Sequence, residues 1–281
     1  MGILKRVRDG LGIMLAVAVK ELIQFRRYPS WVIAVFIWPL LFPIMSVFSA
    51  RALAGPEGQA LHAFAALSGT TDYTGYIIVG LVMWMWLNMT LWTLGSYMRS
   101  EQMRGTLEAT WLCPVSRLGV LLGATCSQLL ISMVNLTVSL IAFRYIWGFR
   151  IVGNLGLTAL LFILSAAAVY GLGIAFASLV MWVKEANAMV FLVRGLFMVF
   201  CGMTYPLAVL PGWMRIVSRG LPLTYSIDGI RAVALAGAGL ADVMGHIAAL
   251  AAFAVVTLVA GFVAFRWTER RVLRTGALGH H

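Results

Sequence analysis

Charge is scarce in this sequence. Of 281 residues only 11% are charged and 62% are hydrophobic, whereas an ordinary soluble domain carries about 25% charged residues. A soluble chain of this length can bury one sizeable core, but it needs a polar coat to cover it. That coat is missing, so apolar side chains must face lipid. Lysine is rarer still: Lys5, Lys20 and Lys184 are the only three, and none follows a glycine. A phosphate-binding loop requires Gly-Lys-Ser/Thr, with the lysine on the phosphates and the hydroxyl on magnesium, so ATP hydrolysis is not encoded here. No His-Glu-x-x-His occurs, and His62 and His246 stand alone. They read as packing or interfacial residues; no metal site and no catalytic residue is expected. Cys113, Cys126 and Cys201 include no close pair and suit small core residues. The acids avoid the middle of every apolar run, which removes the usual marker of proton-coupled transport.

What charge there is has a pattern. The net charge of +11 comes from Lys and Arg gathered at the edges of apolar runs, without interleaved aromatics along a polar face. That distribution is the signature of membrane topology and argues against nucleic-acid binding. No cleavable signal peptide is expected, because the first apolar run is flanked by charge on both sides. His280 and His281 resemble a tag remnant and carry no functional argument.

The expected architecture is an all-α integral membrane domain of 1–281 with six spans: 31–50, 76–97, 118–143, 151–183, 186–205 and 243–265. Twenty uncharged residues at about 1.5 Å each just cover a hydrocarbon core of about 30 Å. Ahead of them, Leu4, Val7, Leu11, Met14, Leu15, Ala18, Leu22 and Phe25 recur at helical steps over 1–28. This predicts an amphipathic helix at the membrane surface; packing on a soluble partner is the alternative. Pro39 and Pro43 predict a kink in the first span, and residues 51–74 read as a loop. Ala167, Gly171 and Ala175 put small residues on one helical face and favour close helix contact. Fourteen Lys and Arg against six favour both termini on the cytoplasmic side. No internal repeat is evident.

Two segments stand apart. Residues 98–117 follow the second span with charges of alternating sign, and Glu101, Arg104 and Glu108 fall at helical spacing. They read as a short amphipathic helix along the cytoplasmic face, or as a solvated loop helix with no partner. The second segment, 206–239, carries Pro206, Pro211 and Pro222 and cannot be one straight helix. Apolar but broken backbone near a membrane surface suggests a re-entrant element. Asp228 and Arg231, at i and i+3, can pair within it.

On these two segments the sequence resembles the permease subunits of type-2 ABC exporters. Glu-x-x-Arg-Gly-Thr-Leu-Glu at 101–108, followed by Pro114-Val-Ser, is similar to that family's coupling helix. Tyr205-Pro-Leu-x-x-Leu-Pro-Gly-Trp213 and the later Leu221-Pro-Leu-Thr-Tyr225 resemble its external re-entrant signature. The resemblance implies an exporter's transmembrane subunit that is not itself an enzyme. It implies pairing with a second copy or close paralogue and with two ABC-type ATPase subunits, which hold the ATP and Mg; no cofactor is expected on this chain. It assigns ATPase contact to Glu101, Gln102, Arg104, Gly105, Thr106 and Glu108, with a lesser contact at Lys184 and Glu185. It assigns the external gate to Tyr205, Pro206, Leu210, Pro211, Trp213, Pro222 and Tyr225, and the dimer seam and cargo path to the first and fifth spans.

Trp38, Met83, Arg194 and Met198 are the candidate cargo-path or seam residues. Trp31, Trp38, Trp84, Trp86 and Trp92 read either as interfacial anchors or as an aromatic band for a polysaccharide cargo. Met83, Met85, Met189, Met198 and Met203 offer a pliant lining that favours an amphipathic or hydrophobic cargo. Arg194 either snorkels or faces the seam, where it would attract an anionic headgroup. The expected function is thus ATP-driven outward movement of a drug, lipid or glycolipid across the cell membrane. The alternatives are a lipid-linked polysaccharide exporter of the same plan, an integral-membrane lipid-modifying enzyme using Asp72, His62 and Asp228, and a non-transporting scaffold or immunity protein.

Overall fold

The computed structural model describes residues 2–54, 59–103, 105, 117–183 and 186–275. Ten α-helices occur among them, with no strand: α1 (Gly2–Arg27), α2 (Pro29–Ala54), α3 (Gln59–Ser68), α4 (Tyr73–Met103), α5 (Arg117–Trp147), α6 (Leu155–Val183), α7 (Ala186–Phe200), α8 (Gly212–Arg219), α9 (Pro222–Ala234) and α10 (Leu240–Thr275). A 3-10 turn, Leu207–Val209, lies between α7 and α8. Among the described residues five stretches are long and apolar enough to cross a membrane: Pro29–Ala52, Tyr73–Tyr97, Gly119–Trp147, Leu155–Val180 and Leu240–Arg271.

Burial separates a centre from a periphery. In their most apolar stretches the second and fourth of these spans are 72% and 56% buried, against 17% for the first and last. Helices α4 and α6 therefore form the core, and α2, α5 and α10 wrap it. The α6–α10 contact is the most extensive. At its closest point a Cβ on Gly171 would lie 2.6 Å from the Leu258 backbone nitrogen, and Thr257 Oγ1 donates to the Ala168 carbonyl at 3.0 Å. Small residues let the backbones meet, and a hydroxyl then bridges them.

Local chemistry sets several boundaries. α1 stops at Arg27 and α2 begins with Pro29, a favourable first helical residue. α2 continues as helix through Pro39 and Pro43. Asp72 accepts from the Gly75 amide at 2.8 Å and so caps α4, while Asn154 accepts from the Gly156 and Leu157 amides and caps α6. The fourth apolar run thus becomes helical only at Leu155, four residues after its apolar start.

Two expectations need correction, and the N-terminal helix gains a packing partner within the chain. Residues 51–74 are not simply a loop, since α2 runs on to Ala54 and α3 occupies Gln59–Ser68. The amphipathic N-terminal helix packs on the chain's own α5, with Ile13 and Val17 against the core and Ala18 buried. Leu11, Leu15, Val19 and Ile23 stay exposed as a second stripe at four-residue steps. The fifth run does not stay helical to residue 205: α7 has 15 residues, about 22 Å long and short of a hydrocarbon core of about 30 Å.

Candidate functional site

The backbone that leaves α7 is caught by polar side chains from elsewhere. Helix termini leave carbonyls without intrahelical partners, and Gly202 turns the chain with φ +60. Ser218 Oγ lies 2.6 Å from the Phe200 carbonyl and 2.9 Å from that of Met214. Arg231, 5% exposed, donates Nη1 to Gly202 O at 2.9 Å and Nη2 to Met203 O at 2.6 Å. Its Nε and Nη2 also donate to the Tyr76 carbonyl at 3.1 and 2.9 Å, and the guanidinium lies 3.4 Å from the Tyr76 ring centroid. One planar fork thereby joins α4, the break after α7 and α9. Gly80 allows the approach: a Cβ there would collide with the Met203 carbonyl and the Arg231 guanidinium. The expected Asp228–Arg231 pair forms at 3.8 Å, but the carbonyls are the closer partners.

The residues assigned to an external gate gather around this knot. Pro206, Leu210 and Pro222 are buried, and the Tyr205 hydroxyl donates to the Val199 carbonyl. Tyr225 donates to the Arg219 carbonyl at 3.1 Å and packs against Phe253 and His246 of α10. Pro211 and Trp213 are exposed, with the Trp213 ring edge-on to Phe200 at 6.2 Å.

A cavity of about 1080 Å³ opens between α2, α4 and α5, and Glu21, Gln24 and Phe25 from the last turns of α1 join its lining. Its α5 wall carries Ser127, Gln128, Ser132, Asn135 and Ser139, all of them buried. Asn135 Nδ2 donates across to the Val35 carbonyl of α2 at 2.5 Å, and Gln128 Nε2 donates to Ser132 Oγ at 3.2 Å. Trp31 and Trp38 line the α2 side, and Trp86, Trp92 and Tyr97 the α4 side. Trp86 is fixed by Phe162, stacked at 4.7 Å, and by Tyr170, edge-on at 5.9 Å. Its indole nitrogen and the Asn88 Oδ1 are buried without a hydrogen-bond partner among the described residues.

The α1 end of the cavity is acidic. Glu21 and Glu101 line it, and Lys20 stands between them, 2.8 Å from Glu101 and 3.3 Å from Glu21. The lysine also lies 6.0 Å from the Tyr97 ring centroid. This trio ties α1 to the end of α4.

Sequence-predicted site residues therefore divide. Trp38 lines the cavity and is 60% exposed, while Met83 is buried in the core at 3%. Met198 is exposed on α7, and Arg194 lies over the Phe191 and Trp84 rings at 4.7 and 5.9 Å, outside the cavity lining. Trp84 and Trp86 are buried and pack on α2 and α6 aromatics, which interfacial anchors would not do. Of the ATPase-contact set, Glu101 is buried, Gln102 falls in the last turn of α4, and Gly105 is exposed with φ +70. Arg104, Thr106, Glu108, Lys184 and Glu185 lie outside the described residues. The cavity's polar wall was missed, although Gln128, Ser132 and Asn135 follow helical spacing within an apolar run.

Five apolar helices long enough to span among the described residues, packed about a hydrophobic core, define a multi-pass membrane protein. The chain belongs to the ABC-2 family of transporter proteins, whose family model matches residues 59–263. The match takes in α3 to α9 and most of α10, and so the core helices, the Arg231 knot and the α4 and α5 walls of the cavity. No curated protein is similar enough to the chain to be matched with it. Family membership makes the chain a transporter subunit that works with an ABC-type ATPase.

Proposed function

We propose that the chain is the transmembrane half of an ATP-driven exporter that moves an amphipathic or hydrophobic cargo (a drug, lipid or glycolipid) outward through the cell membrane. Two separate ABC-type ATPase subunits supply the energy, and a second copy or close paralogue completes the permease. Both termini lie in the cytoplasm, and α7 serves as a short sixth crossing. Segment 206–239 folds back at the outer face and closes the path. The first and fifth apolar runs line the seam. The observation that carries this reading is the cavity between α2, α4 and α5, present in a chain of a transporter family and lacking any phosphate-binding loop.

Segment 98–117 is the contact for the ATPase, with Lys184 and Glu185 beside it. The long α4 supports the assignment: its 31 residues extend about 46 Å, well past a core of about 30 Å. Its end is braced by Lys20 on Glu101, so force applied beyond Met103 reaches α4 and α1 together. Co-purification of the permease with its nucleotide-binding subunit tests this, using Gly105→Val and Glu108→Ala. Retained pairing and retained cargo-stimulated ATPase activity in both variants would remove the assignment. A lipid-linked polysaccharide cargo is the second reading, favoured by the aromatic walls of the cavity.

A further inference from the structure

We propose that the α2–α4–α5 cavity is a binding site for a single uncharged amphiphile with a hydroxyl-rich headgroup, held along the polar face of α5. The inference deepens the export reading and rests on it for its physiological meaning. Three observations carry it. The first is size: about 1080 Å³ exceeds ordinary small-molecule pockets of about 300–1,000 Å³, leaving room for a head of disaccharide size and the start of a tail. The second is the chemistry of the walls. Gln128, Ser132 and Asn135 bring amide and hydroxyl groups to one side, and Trp31, Trp38, Trp86 and Trp92 line the others. Amide and hydroxyl groups each donate and accept. A hydroxyl supplies both functions, whereas a quaternary ammonium supplies neither and a sulfate ester accepts only.

The third observation is charge. Glu21 and Glu101 are the charged residues lining the cavity, and no lysine or arginine joins them among the described residues. An anionic head gains no cationic partner from this lining. One lysine already stands within 3.3 Å of both, which leaves a weaker demand for a cationic head. Ile33, Ile37 and Trp38 line the cavity and are exposed. A tail can lie along these α2 side chains.

The test is photolabelling of the full chain in lipid nanodiscs with dodecyl maltoside carrying a diazirine in its tail, mapped by peptide mass spectrometry. Labels are expected on α2, α4 and α5 residues of the cavity, competed by unmodified dodecyl maltoside. Gln128→Leu, which removes one headgroup hydrogen bond without breaking an interhelical one, should lower site labelling about fivefold. Ser132→Ala is the second variant, and thermal melting confirms that each is folded. Three results would overturn the proposal: equal or stronger labelling by the dodecyl sulfate or dodecyltrimethylammonium analogues, displacement by free maltose as efficient as by the amphiphile, or site labelling unchanged in both variants. Because labelling is read on the permease alone, its failure leaves the ATPase-pairing test untouched.

Discussion

Arg231 on α9 meets Tyr76 on α4 through backbone and ring together, with Nε and Nη2 3.1 and 2.9 Å from the carbonyl and the guanidinium 3.4 Å from the ring centroid. The remaining donors reach Gly202 and Met203, so a single side chain satisfies carbonyls at the start of one span and at the end of a helix that stops short.

Arg231→Ala should therefore destabilise the permease strongly, by about 3–5 kcal/mol, because several buried carbonyls lose charged donors at once. Arg231→Lys should recover only part, since an ammonium is a point charge and cannot span the same fork. Thermal melting of purified protein, followed by size-exclusion monodispersity, reads both. Equal melting of the three proteins would contradict the clamp.

Gly80→Ala tests the same region through shape. Its new methyl would strike the Met203 carbonyl and the Arg231 guanidinium, and the backbone cannot yield cheaply. A loss of about 1–3 kcal/mol is expected from overpacking. Gly195→Ala on α7 meets nothing within 4 Å and should be neutral or slightly stabilising, because alanine is the better helix former. Both are measured by the same melt.

Lys20 and Glu101 should be energetically coupled. Lys20→Met and Glu101→Gln, alone and together, form a double-mutant cycle, with an expected coupling of about 1 kcal/mol because the lysine is half exposed. Additive effects on melting would show that the 2.8 Å contact contributes nothing.

Asn135→Leu should loosen α2 from α5. It removes the donor to the Val35 carbonyl, and interhelical polar bonds in membranes are worth about 0.6 kcal/mol on average. Cysteine crosslinking between α2 and α5 should slow in the variant while α4–α6 crosslinking stays unchanged.

Hydropathy suffices to find the five long helices, because a bilayer demands length and apolarity from each span independently of its neighbours. Tyr28-Pro29 marks the α1–α2 boundary for equally local reasons, and Gly171 announces its close contact through small-residue spacing. The end of α7 was not legible in hydropathy. Gly202, at φ +60, and Pro206 beyond it are local stop signals that a hydropathy reading passes over, whereas the groups that hold the freed carbonyls, Ser218 and Arg231, are distant in sequence. Arg231 itself was read through its near neighbour Asp228, since spacing exposes an i, i+3 pair but hides carbonyls on other helices. The cavity was legible only in part. Trp38 came forward as a candidate, while Gln128 and Asn135 looked like isolated polar residues in an apolar run until α2 and α4 were placed against them.

The Arg231–Tyr76 bond also has a history during synthesis. Its partners are 155 residues apart, and at about 5–20 residues per second the ribosome needs roughly 8–30 s to travel between them. Throughout that interval α4 is already made and its own helical bonds hold its carbonyls, but the guanidinium that ties it to the break after α7 is absent. The permease is locked only when α9 arrives. Biogenesis of this chain is expected to finish late and in one step, with truncations before residue 231 inserted but unfastened.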